Sequence, residues 1–347
     1  MIYYLVSPEG SDTMDPYTRS WGPAPGSRMQ ILRYDNLREI QRLKPGSYIF
    51  SDLERLSPPE LKLAQHVWET LSNAGPRLRL LNNPSRVLCR HDLLSRLFEE
   101  GKNRFRAVRA TEPLHSLRFP VFIREENDHN GNLTPLIYKR ADLAWPLRAL
   151  RLRGHRLHDL LVVEFCDTSD PAGIFRKYSA FRIGEAILPR HLLFSRNWNL
   201  KRPDLVDPPL AKEQERYLNE NPHRSWLAEI FDLSGIEYGR IDYSMMGSEP
   251  QTWEINTNPM VRQLTPRLTS AFEAIDHPVL SEEAIPLRID PSLARAIHAR
   301  ESQRRRDRRY RQVIEKFSSS QWARPLLVIA KTLLRSPLGG LRKIKPG

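Results

Sequence analysis

An α/β unit, then an α+β region, then a basic helical tail is the architecture this sequence predicts. Three observations carry that expectation. Strand-like and helix-like stretches alternate as far as Gly101, strands joined by long polar connections take over from Phe119, and positive charge gathers at the C-terminal end. The 347 residues, 40% apolar and 27% charged, have ordinary globular composition and room for two or three units. The expected cuts give a small N-terminal domain over 1–84, a central region over 85–279 and a tail over 280–347.

The first unit opens with an apolar strand at Ile2 to Val6, and a second at Ser47 to Phe50 follows the Pro45-Gly46 turn. Ser57-Pro58-Pro59-Glu60 has the Ser-x-x-Glu capping pattern, after which Leu61, Ala64, Val67, Trp68 and Leu71 recur at helical spacing. Arg77 to Leu81 reads as a strand. Asn82 to Ser85 leads into a helix carrying Val87, Leu88, Leu93, Leu94 and Leu97, closed by Gly101. Further on, strands are expected at Val121 to Arg124, Leu160 to Phe165, Tyr178 to Ile183, Ala186 to Leu188, Ile236 to Met246 and Gln251 to Asn256. Helices are expected at Lys212 to Asn219 and Arg224 to Leu233.

Composition excludes several function classes. No run of 18 uncharged apolar residues is present, so a spanning helix is not expected. The start MIYYLVSPEG lacks the basic n-region of a signal peptide, and Cys89 and Cys166 are the only cysteines, so the expected setting is a reducing cytoplasm without disulfides. Neither Gly-x-x-x-x-Gly-Lys-Ser/Thr nor Gly-x-Gly-x-x-Gly occurs. The net charge is +13, yet residues from Leu280 on hold 16 Lys plus Arg against 6 Asp plus Glu, or +10, which leaves +3 for the rest. The basic character therefore belongs to the tail.

The densest chemistry lies in Gly235 to Pro259. Two apolar strands flank the turn-forming Gly247-Ser248-Glu249-Pro250, and a turn centred on Ser248 sets Asp242 opposite Glu254 and Arg240 opposite Asn256. These four polar residues share one face, with Ile241, Tyr243, Trp253 and Ile255 on the other. Opposed carboxylates repel unless a cation lies between them. Two accounts are open: a solvated face with Arg240 in a cross-strand salt bridge, or a hard cation such as Mg²⁺ with phosphates completing its shell.

This segment resembles the metal-binding strands of the ATP-grasp superfamily, with motifs most like those of D-alanine:D-alanine ligase-like carboxylate–amine ligases. The pattern Gly-x-x-Arg-x-Asp, a turn, then Glu-x-Asn-x-x-Pro is matched at Arg240, Asp242, Glu254, Asn256 and Pro259, with a contraction at Gly239. The resemblance implies an ATP-grasp fold over about 1–275, Mg²⁺ on Asp242, Glu254 and Asn256, and Arg240 on the reacting phosphoryl and acyl oxygens. It places Arg90 and Arg124 where the family has phosphate-binding lysines, and Glu164 and Phe165 at the adenine. It also departs from the family: Arg176-Lys177 stands where an acidic ribose contact is expected, and Glu125 to Leu133 holds only Gly131 where many members have a glycine-dense lid. His191, Arg196 and Lys201 follow the second hairpin, where members place another phosphate or substrate contact, and Asn258 is a candidate for the acceptor. The function implied is a Mg²⁺- and ATP-dependent ligase that activates a small-molecule or peptide carboxylate for an amine. The alternatives are a non-catalytic ATP-binding scaffold and a phosphotransferase on the same fold.

In the tail, Arg295 to Gln312 holds eight arginines against Glu301 and Asp307, which reads as a very basic helix. Trp322, Leu326, Ile329 and Leu333 then recur at helical steps with Arg324, Lys331 and Arg335 opposite. That pattern suits docking on the protein's own core, or peripheral contact with an anionic membrane through 295–335, or RNA phosphates. Nothing in it reads bases, so sequence-specific nucleic acid is not expected.

Overall fold

The computed structural model describes residues 1–17, 29–75, 78–128, 131–261, 265–276 and 283–319. Strands β1 (Ile2–Val6), β2 (Met29–Arg33), β4 (Ser47–Phe50) and β5 (Arg79–Leu81) form a wholly parallel sheet in the order β2-β1-β4-β5. A short strand, β3 (Arg42–Leu43), lies between β2 and β4 in the chain. Parallel neighbours need crossovers that cover the sheet faces, and β1 is accordingly buried along its whole length. Helix α1 (Pro58–Asn73) begins at the expected capping box of Ser57 and Glu60. It packs Leu63, Ala64, Val67 and Leu71 against Tyr3, Leu5, Tyr48 and Phe50 on one face of the sheet.

The second helix is shorter than its apolar pattern suggests: α2 is Arg90–Glu99, and the chain from Asn82 to Cys89 is not helical. Asn82 explains the difference. In the left-handed region at φ 66, its side chain donates to the carbonyls of Phe50 and Tyr238 and accepts from the amides of Glu237 and Tyr238, so it ties the first sheet to the central one.

Two antiparallel sheets follow. Strands β6 (Ala107–Arg109), β7 (Val121–Glu125) and β8 (Leu160–Glu164) pair in the order β6-β8-β7, with α3 (Ala144–Leu152) between β7 and β8 in the chain. Strands β9 (Phe175–Ile183), β10 (Ala186–Ser195), β11 (Tyr238–Met246) and β12 (Glu249–Asn256) form a sheet of order β10-β9-β11-β12. Its β10 is much longer than the apolar run Ala186 to Leu188. Helices α4 (Pro208–Glu220) and α5 (Arg224–Ser234) pack Tyr217, Leu227, Ile230 and Phe231 on one face of that sheet, among Tyr178, Ile241, Tyr243 and Ile255. At one end of the other face, Phe181 and Ile183 join Tyr4 and Ile49 of the first sheet and Leu268, Phe272 and Ile275 of α6 (Pro266–Ile275) in a shared core. The fold is thus mixed α/β, an all-parallel sheet followed by antiparallel ones.

The compact unit runs from Met1 to Ile297, beyond the expected cut at 279/280. The physical cause is the return of the chain to the first sheet's domain: β13 (Ile285–Pro286) pairs with β3, and Leu287 and Ile297 are buried in the core under α1. Helix α7 (Pro291–Ser319) continues into a second unit that starts at His298. The Trp322 to Arg335 pattern lies outside the described residues.

Candidate functional site

Strands β11 and β12 set Asp242 opposite Glu254 and Arg240 opposite Asn256, as the sequence predicts. The route to that register is different. The turn is the two residues Gly247 and Ser248, with Gly247 at φ 61, and Met246 already faces Glu249. Counted from that turn, Ser244 faces Gln251 and Tyr243 faces Thr252, so Asp242 would face Trp253. A β-bulge at Trp253 absorbs one residue and restores Glu254 to the position opposite Asp242. It also moves Trp253 off the apolar face where alternation places it: the indole donates to Ser244 Oγ at 2.8 Å and lines a cavity together with Asp242 and Glu254.

That cavity, about 350 Å³, lies between the β6-β8-β7 and β10-β9-β11-β12 sheets. One part of its wall is aromatic. Trp198 meets Phe122 at a centroid distance of 5.1 Å and Phe165 at 5.7 Å nearly edge-on, and Phe105 packs on Trp253 at 5.0 Å. Another part is ionic, with Arg124, Arg176, Lys177, Lys201, Arg240, Asp242 and Glu254. Trp198 and Lys201 reach it on the stretch after β10. Gly131 sits at φ 95, a backbone conformation that disfavours any side chain, and the flexible Lys201 chain packs over it.

Each carboxylate is already neutralised. Glu254 Oε2 accepts from Arg124 at 2.7 Å and from Arg90. Asp242 has Lys177 Nζ at 3.3 Å on Oδ2, Arg240 Nε at 3.2 Å on Oδ1, and a hydrogen bond from Ser179 Oγ at 2.9 Å. Burial would raise the Asp242 pKa, but Arg240 and Lys177 outweigh it and hold the group below the ordinary aspartate value. For Arg124, burial and neighbouring Arg90 together push the pKa down to about 10, with Glu254 opposing them. The Nε of Arg124 is buried with no hydrogen-bond acceptor among the described residues, and that of Arg240 has the Asp242 ion pair without hydrogen-bond geometry. Buried donors without acceptors are costly, so they mark where an anionic ligand would be welcome.

The remaining sequence-derived candidates divide. Phe165 lines the cavity, but the Glu164 side chain does not reach it. Alternation along β8 turns Val163 and Phe165 inward and Glu164 the other way, where its carboxylate accepts from the Arg118 side chain at 2.7 Å and from the amides of Arg118 and Arg106. Glu164 is a structural tie. Arg90 is largely committed too: besides Glu254 it donates to the carbonyls of Glu125, Glu126 and Asp128, fixing the end of β7. Asn258 is buried and bonded to Tyr4, Gly10 and Thr13, so it stitches the first domain to the hairpin. Arg196 donates to the Ala172 carbonyl. His191 pairs with Ser179 across the sheet, and burial pushes its imidazole down to about pKa 4 against the pull of Asp242.

No cluster of three or more His, Cys, Asp or Glu that could hold a metal occurs among the described residues. A metal at the hairpin would therefore take Asp242, Glu254 and the Asn256 amide, whose oxygen now accepts from the Asn258 amide at 2.7 Å. This hard-oxygen set fits a divalent cation of the magnesium kind, provided an anion draws the basic groups aside and completes the shell.

Trp198, Phe122 and Lys177 are among the site residues that sequence reasoning misses. The only signal for Lys177 is the Arg176-Lys177 departure from the expected acid; Trp198 lies in a loop with no periodicity. No protein-family model matches the sequence, and no curated protein matches it either. Among solved structures, the chain is similar to D-alanine–D-alanine ligase from Bacillus anthracis complexed with ATP, at 13% identity over 79% of this chain and 96% of that one, with a TM-score of 0.47. It is similar to a second structure of the same ligase, at 16% identity over 79% and 92%, with a TM-score of 0.45. It also shows similarity to L-amino acid ligase from Bacillus licheniformis, at 9% identity over 74% and 66%, with a TM-score of 0.38.

Proposed function

We propose that the chain is a Mg²⁺- and ATP-dependent carboxylate–amine ligase of the ATP-grasp kind. The observation that carries this reading is one cavity with an aromatic wall and a cationic wall meeting at an opposed Asp242–Glu254 pair. A nucleotide has the same two-part chemistry, a flat apolar base and a polyanionic tail. The base would lie against Phe165, Phe122 and Trp198, with the phosphates toward Arg124, Lys177, Lys201 and Arg240.

In the reaction, a substrate carboxylate oxygen attacks the γ-phosphorus as the bond to the β-phosphate oxygen breaks, giving an acyl phosphate and ADP. An amine then attacks the acyl carbon and phosphate leaves, forming the amide. Arg124 and Arg240 offset the charge that spreads over the transferring group, a role that needs fixed cations rather than bond-making side chains. When bound on Asp242, Glu254 and Asn256, Mg²⁺ would supply further charge neutralisation at the phosphates.

Calorimetric titration of ATP with and without Mg²⁺ tests the reading. Magnesium-dependent binding is expected, and absence of ATP binding by the folded wild type would overturn it; product mass separates amide formation from simple phosphotransfer. Because base–aromatic stacking contributes about 1–3 kcal/mol, Trp198→Ala should weaken nucleotide binding roughly tenfold to a hundredfold while leaving pyrophosphate binding close to wild type. Equal losses for both ligands would remove Trp198 from the base.

We further read the basic C-terminal unit as a contact for an anionic membrane surface, on its charge and on the Trp322 to Leu333 spacing. The full chain should pellet with vesicles rich in phosphatidylserine, and a chain ending at Ile297 should not. Equal pelleting of both would sink this assignment.

A further inference from the structure

Among the described residues, each of the two opposed carboxylates pairs with two basic groups: Glu254 with Arg90 and Arg124, and Asp242 with Lys177 and Arg240. These bases differ in mobility. Arg90 is pinned by three backbone carbonyls as well as Glu254. Arg176, next to Lys177, is held by Asp170 at 2.6 Å and Glu213 at 2.7 Å, so it cannot stand in for its neighbour. Lys177 starts from β9, lines the cavity, and has Asp242 as its one ion-pair partner among the described residues. Its flexible four-carbon stem lets the ammonium move while the strand stays fixed.

We propose that Lys177 is a built-in placeholder cation on Asp242, which blocks divalent-cation binding in the free protein and yields when a polyphosphate enters. The physical basis is the local charge balance. A lone divalent cation approaching Asp242 and Glu254 would add positive charge where, among the described residues, two basic groups already sit on each carboxylate, at contact distances where Coulomb terms are large. A polyphosphate reverses that sign, offers Lys177 a new partner, and exposes the Asp242 oxygen that the lysine covered. Binding of metal and nucleotide is thereby coupled, each raising the affinity of the other. A lysine where the ATP-grasp pattern has an acidic ribose contact then has a defined role, with Lys177 directed to phosphate and not to sugar. The inference rests on the nucleotide reading of the cavity only for the identity of the polyphosphate; the placeholder role itself does not need it.

The test uses Mn²⁺ as the probe, followed by electron paramagnetic resonance on the full chain. Wild type should bind Mn²⁺ weakly alone and at least about tenfold more tightly with a non-hydrolysable ATP analogue. Lys177→Met should raise Mn²⁺ affinity without nucleotide by about tenfold and lower metal-free ATP affinity by a similar factor, opposite signs that general loss of structure cannot produce. Lys177→Arg, which keeps the charge, should stay near wild type in the metal-only arm. Unchanged Mn²⁺ affinity in Lys177→Met, or a fall in both affinities, overturns the proposal. The metal-only arm requires no nucleotide, so a chain that binds no ATP would defeat the proposed function while the Mn²⁺ gain still decides the role of Lys177.

Discussion

Replacing Glu254 by glutamine will destabilise the compact unit Met1–Ile297 by about 3 kcal/mol, because breaking one side of a buried ion pair leaves the other charge uncompensated. Here two charges are left. Arg90 is almost fully buried, Arg124 nearly so, and both guanidiniums converge on Glu254 Oε2. Burial and Arg90 already push Arg124 down to about pKa 10, with Glu254 the main group opposing them. The effect should appear as a drop of several degrees in Tm by differential scanning fluorimetry. Pyrophosphate should then restore more of the lost Tm in Glu254→Gln than it adds to wild type, since it replaces the missing anion. An unaltered Tm would show that Glu254 is not the counter-charge for these arginines.

Asp242→Asn should act on function with far less effect on the fold. Asparagine has nearly the same shape, its side-chain oxygen can still accept from Ser179 Oγ, which now lies 2.9 Å from Asp242 Oδ1, and the cations it releases, Lys177 and Arg240, are 23% and 22% exposed and keep contact with water, unlike Arg90 at 4%. What disappears is the charge that holds Lys177 and Arg240. Metal-free ATP binding should therefore hold or tighten, while the gain in affinity on adding Mg²⁺ vanishes and turnover falls at least about a hundredfold. Calorimetry with and without Mg²⁺ checks the first part, and release of ADP the second. If Mg²⁺ still strengthens ATP binding in this variant, Asp242 is not a metal ligand.

The site was half legible in advance, and particular residues show why. Arg240, Asp242, Glu254 and Asn256 could be placed on one face because strands alternate with a period of two and glycine marks a hairpin turn. The bulge at Trp253 could not be read, since a bulge is decided by packing across the sheet and leaves no fixed local signature. The side of β8 on which Glu164 falls is hidden for a related reason: Leu160 to Val163 is uniformly apolar, so the run conceals which residues face which side. The return of the chain to the first sheet is also hidden, because Ile285, Leu287 and Ile297 are isolated apolar residues in a polar stretch until β13 pairs with β3.

By itself, the sequence determined the strand–helix alternation of the N-terminal domain, the hairpin that carries both carboxylates and the concentration of charge in the tail. Each depends on residues within a few positions of one another, where backbone periodicity and turn chemistry act directly. Only the tertiary structure decided that Trp198 joins Phe122 and Phe165, that Arg90 and Arg124 share Glu254, and that Lys177 covers Asp242. Most of those partners are tens to more than a hundred residues apart, and such contacts are settled by the burial of whole sheets against one another, which no local pattern records.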